Sequence, residues 1–133
     1  MRTPVQRYQV SGLEAVAPRE TEIVAFTICN ERLAGAADAR ARIEALHKTH
    51  QLWSLIVRDV AMEANGLPAD LKSNLTDLGI WAMTYCIHAM AMDLPLAPLV
   101  QVNADMIEGL RAQAASLAVA TTAASLASVA ATL

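Results

Sequence analysis

The chain is poor in the residues that build sheets and turns. Its 133 residues include only five glycines and five prolines, and aromatic side chains make up 4%. A β-sandwich needs turn residues at short intervals and bulky strand residues between them, so that class is excluded. Cysteine is nearly absent as well. Cys29 and Cys86 both sit among apolar neighbours. They are expected as buried free thiols in a reducing compartment, since nothing in the pattern requires a disulfide. Positive charge is also in short supply. The formal net charge is -3, which argues against a strongly basic groove for nucleic acid. Long apolar runs are missing too. The longest, residues 78–92, covers roughly 15 positions and is closed by Asp93 and Pro95, whereas a spanning helix needs about 20. Near the start, Arg2 and Arg7 precede a segment broken by Gln9, Ser11, Gly12 and Glu14, so no secretory leader is expected. The expected location is the cytoplasm.

What is abundant is alanine, leucine, methionine and charged side chains, and these favour helices. The reading is all-α: a small antiparallel bundle of about four helices. An N-terminal arm (1–17) precedes a helical domain (18–112), and an Ala/Ser/Thr-rich tail follows (113–133). In the arm, Tyr8, Val10, Leu13 and Val16 are the apolar points. A first helix is expected from Pro18, with Ile23, Phe26 and Leu33 near one face and Gly35 as its stop. A second is expected from Asp38 to Met62, with Asp38 capping its exposed N–H groups. Its apolar stripe reads Ile43, Leu46, His50, Trp53, Val57 and Val60, widened by Leu52 and Ile56. Asn65-Gly66 reads as a left-handed stop.

The third helix is expected to open at Pro68, with Asp70 near the unsatisfied N–H groups. Its repeat is Leu71, Leu75, Leu78, Ala82, Tyr85, Ala89 and Met92, and Ile80, Trp81, Met83 and Ile87 fill the other faces. Beyond Leu78 it is apolar nearly all round, so it is either central in the bundle or covered by a partner. A fourth helix is expected over 98–111, buried through Leu99, Val102, Met106, Ile107 and Leu110. The uncharged tail has three readings: an extension of helix four, a frayed end, or a feeble membrane insertion.

The residues offer little chemistry. His47 and His50 share a helix face and Glu44 lies one turn back, but a metal needs further converging ligands and Lys48 opposes a cation. His50 is better read as hydrogen-bonded on the packed stripe. There is no nucleophile elbow, no Walker A loop and no dinucleotide fingerprint. Asp59 and Glu63 make an i,i+4 acidic pair read as solvated. Arg40, Arg42, Lys48 and Arg58 form a potential basic strip, but no aromatic residues interleave with it for base stacking. The expectation is therefore no catalytic residue, no cofactor and no metal. The surplus is apolar: 55% of residues, against an ordinary 45–50%. A domain this small cannot easily hide all of it, so part of the surface is expected to meet an amphipathic helix or a second copy.

The order of motifs is familiar. The segment 47–59, with its Leu52-Trp53 pair, resembles the Leu-Trp helix of the FlaF flagellar family. Gly66-Leu67-Pro68 with Leu71 is similar to that family's LPxxL opening, and Gly79-Ile80-Trp81 to its GxW segment. Residues 103–110 resemble the Asn-to-Gly-Leu close of the domain, and Tyr8 suits its arm. The resemblance covers about 5–112 and leaves the tail without a counterpart. It implies an α-proteobacterial cytoplasmic protein needed for flagellin production and export. Such a protein binds flagellin before secretion and works alongside the RNA-linked regulator FlbT. The residues singled out as partner-binding or core anchors are Leu52, Trp53, Ile56, Leu67, Pro68, Leu71, Ile80 and Trp81. Two alternatives accompany this reading. One is a regulator touching flagellin mRNA through the basic strip, for which direct RNA contact is not expected. The other is a structural module forming a homodimer through helix three.

Overall fold

The computed structural model describes residues 17–132. The expected arm therefore lies, apart from Ala17, outside the described residues, as does Leu133. Four helices and no strand are present among the described residues: α1 (Ala17–Ala34), α2 (Ala39–Ala61), α3 (Ala69–Ala91) and α4 (Ala97–Thr132). The fold is all-α, as expected. No helix among the described residues is long and apolar enough to cross a membrane.

The helix starts follow the local chemistry. Asp38 is the N-cap of α2 and accepts from the Ala41 N–H at 2.8 Å, satisfying one of the donors a helix leaves open. Pro68 precedes α3 as its N-cap instead of occupying the first turn. Asp70 sits in that first turn, against the positive end of the dipole. The ends differ from expectation. No residue among those described has positive φ, so Gly35 and Asn65-Gly66 do not act as left-handed caps. α2 closes through an extended Met62 instead. Asn65 serves with its side chain, donating to Asp59 Oδ2 and accepting from the Leu67 N–H. The fourth helix passes its expected end and continues without a break to Thr132, which is the extension reading of the tail.

The chain falls into two compact units, one of them Phe26–Ala104. Within it, α2 and α3 pack antiparallel: Arg42 near the start of α2 reaches Ala89 near the end of α3, while Val57 meets Gly79. Phe26, Cys29, Leu33, Leu46, Trp53, Ile56, Ala82, Cys86 and Leu99 form the core of this unit. In the other unit, which includes the described residues from Asp105 onward, Ile107 and Leu110 are buried.

Two stripes are rotated from their expected positions. On α2 the buried line is Ala45, Leu46, Thr49, Trp53, Ile56 and Val60. Ile43 is exposed, and His50 is half-buried with no hydrogen bond to its ring among the described residues. Thr49 turns its hydroxyl onto the Ala45 carbonyl at 2.8 Å and so enters the core at little polar cost. On α3 the buried line is Gly79, Ala82, Cys86 and Ala89. Small residues face α2, and the large ones, Leu71, Ile80, Trp81 and Ile87, are turned outward.

Candidate functional site

The centre of the Phe26–Ala104 unit is a polar chain inside an apolar core. The Trp53 indole N–H donates to Asn103 Oδ1 at 2.9 Å. Asn103 Nδ2 donates to Asn30 Oδ1 at 3.0 Å, and Asn30 Nδ2 donates to the Val100 carbonyl at 3.0 Å. Three helices are thus tied by side chains that satisfy one another, from the fully buried Trp53 and Asn103 out to the half-buried Asn30, which is what permits polar groups there. The Phe26 ring meets Trp53 edge-on, centroids 5.1 Å apart. On the α3 side, a Cβ added at Gly79 would lie 2.4 Å from Val57 Cγ2 and 3.3 Å from Trp53 Cε3. Gly79 therefore lets α3 close over the indole.

The opposite side of α3 is a different kind of surface. Its exposed line runs Ser73, Asp77, Ile80, Thr84, Ile87 and Ala91 at spacings of three and four. Ile80 is 51% exposed, Ile87 54% and Trp81 39%. The Trp81 ring packs on Tyr85, centroids 5.2 Å apart, and the Tyr85 hydroxyl donates to the Pro95 carbonyl. A half-exposed indole is thereby held in one orientation from below. Immobilising it costs a partner little.

The eight anchor residues divide accordingly. Trp53 and Ile56 are buried in the core, Leu52 and Leu67 are half-buried, and Pro68, Leu71, Ile80 and Trp81 are exposed. The two tryptophans, indistinguishable in the sequence, lie on opposite sides of the α2–α3 contact. Ile87 was not among the candidates. Its signal was present, since it continues the line from Asp77 through Ile80 and Thr84, a line that opens with polar residues.

The remaining candidates are weaker as sites. No group of three or more His, Cys, Asp or Glu able to hold a metal occurs among the described residues. Cys29 and Cys86 are free and buried, as expected. Burial pushes the Cys86 thiol up to about 12, with a smaller push from Cys29. Cys29 is also raised by burial, partly offset by its hydrogen bond with Thr49 and by the Arg32 and Lys48 charges. Both stay protonated at neutral pH and offer no nucleophile. The three arginines of the basic strip have partners within the chain. Arg42 donates to the Leu94 carbonyl at 2.6 Å and the Ala89 carbonyl at 3.4 Å, closing the C-terminal end of α3. Arg40 pairs with Glu44 at 3.3 Å, and Arg58 reaches Ser54.

The family model described as flagellar protein FlaF matches residues 5–110. The chain belongs to the FlaF family. Its role therefore lies in flagellar biogenesis. No curated protein and no solved structure matches the chain. The FlaF-matched segment contains the polar chain, the Gly79 contact and the outer face of α3, and it ends at the buried Leu110. From Arg111 onward α4 continues past the match.

Proposed function

We propose that this FlaF protein binds flagellin in the cytoplasm before export, acting as a chaperone and regulator of flagellin synthesis and secretion, without catalysis. A FlbT-type regulator is its functional companion in this reading. The observation that carries it is the outer face of α3. Ile80, Trp81 and Ile87 remain outside although the same unit buries Trp53, Phe26 and Leu99 completely. These three side chains lie on the face of α3 turned away from that core. Apolar groups of this size left in a row on a helix mark a surface for another chain. An amphipathic helix laid along the row would bury them.

Family membership supplies the flagellar context. The arginines argue against the mRNA reading, since Arg42 is spent on closing α3 and Arg40 on Glu44. The test is titration of the full chain with monomeric flagellin, followed by protection mapping of the flagellin segment. A saturable complex with one protected helical segment is expected. Separate elution of the two proteins at micromolar concentration would end the proposal.

A further inference from the structure

The outer face of α3 is graded in charge as well as in hydropathy. Its N-terminal half presents Asp70, Asn74 and Asp77, all exposed, and its C-terminal half presents Ile80, Trp81 and Ile87. Asp70 and Asp77 make no ion pair among the described residues. α3 carries no arginine. Its one lysine, Lys72, is half-buried and stands five residues from Asp77, away from this face by helical geometry. The face is thus an apolar patch of about two turns with unpaired carboxylates beside one end.

We infer that this face takes an amphipathic helix whose apolar stripe is followed, about one turn beyond one end, by Lys or Arg. The inference rests on the proposed binding role and specifies the chemistry of the bound helix. Charge complementarity selects this occupant. A second copy of α3 brings to the face the same two aspartates, no Lys or Arg, and as its one exposed basic group only the imidazole of His88, so pairing supplies no permanent cation for the two carboxylates. A cationic helix compensates both while its stripe covers Trp81, the pre-oriented anchor. Helices also favour cations in their last turn, so the basic end is the C-terminal one.

The test uses the full chain and two synthetic amphipathic helices with one leucine stripe, ending in lysines or in glutamates. Fluorescence anisotropy at low salt reads binding. The lysine-ended helix is expected to bind at least fivefold tighter, the equivalent of about 1 kcal/mol for exposed ion pairs. The Asp70→Lys/Asp77→Lys variant reverses the preference, and Trp81→Ala weakens both helices with circular dichroism unchanged. Equal binding of the two helices overturns the inference, as does a dimer in light scattering that blocks them. Flagellin run in parallel separates the two levels. Flagellin binding untouched by Trp81→Ala removes this face and leaves the binding role standing. Absence of flagellin binding with the lysine preference intact removes the role and leaves the face.

Discussion

Trp53 and Asn103 share a hydrogen bond of 2.9 Å in which both side chains are wholly buried, fifty residues apart in sequence. It joins the middle of α2 to the first turns of α4. The same Asn103 passes the connection to Asn30 on α1. The bond therefore specifies how three helices meet, and its loss leaves polar atoms with no alternative partner. Replacing Asn103 by leucine strands the buried indole N–H and removes the donor to the half-buried Asn30 Oδ1. Stability should fall by about 2–3 kcal/mol, from one or two unsatisfied buried groups. Urea unfolding measures this. In the cycle with Trp53→Phe the double variant should lose less than the two single losses added. Strict additivity would mean the bond contributes nothing specific.

Gly79 makes the second prediction. Its missing Cβ is the space occupied by Val57 and the Trp53 ring. Gly79→Ala should destabilise by about 1–3 kcal/mol, the range for overpacking, although alanine favours a helix. Val57→Ala removes the atom met at 2.4 Å and should recover part of the loss. Gly109, where an added Cβ meets nothing within 4 Å, is the control. Gly109→Ala should stabilise by up to about 1 kcal/mol.

The two arginines that looked alike in sequence should behave differently. Arg42→Ala removes the donors that close α3 at the Ala89 and Leu94 carbonyls. It should cost about 1–2 kcal/mol, as for a charged group bonded to backbone. Arg40→Ala removes an exposed i,i+4 pair and should change the urea midpoint little, with that small change vanishing in salt. Equal effects would mean the Arg42 contacts carry no energy.

The thiols predict an alkaline limb. Cys86 titrates at about 12 in the folded chain, raised from 9.0 by burial. An acid whose folded value is raised holds its proton while the unfolded chain releases it. The contribution is complete below about pH 9 and is lost as pH rises towards 12. Urea midpoints should fall over that window, and Cys86→Ala should flatten part of the slope. Alkylation of either thiol at pH 8 should follow unfolding instead of preceding it.

Much of this architecture is legible in the chain. Asp38, Gly35 and Pro68 punctuate it at places that match the helix limits to within a residue or so, because capping is local chemistry. Stripe directions are less legible. The sequence offers Ile43 and His50 to the core, but the structure takes Ala45 and Thr49. Thr49 is admitted by its hydroxyl bond to the Ala45 carbonyl, and on α3 the missing side chain of Gly79 brings the helix close to Val57 and Trp53 with its larger residues outward. The same absence explains why the Ile80–Ile87 face could not be placed from periodicity alone. α3 is apolar around its circumference, and only its neighbour decides which side is inner. The polar chain through Asn30 and Asn103 has no signal in the sequence, because the partners that make each tolerable lie fifty or more residues away.

The central claim is that Trp81, and not Trp53, meets the partner. Acrylamide quenching of tryptophan emission reads this directly, with and without a tryptophan-free flagellin at saturation. Alone, the protein should show one shielded and one quenchable indole, since Trp53 has no exposed surface and Trp81 is 39% exposed. The account predicts that the quenchable component disappears in the complex. A saturated complex in which Trp81 quenches as freely as before would contradict it.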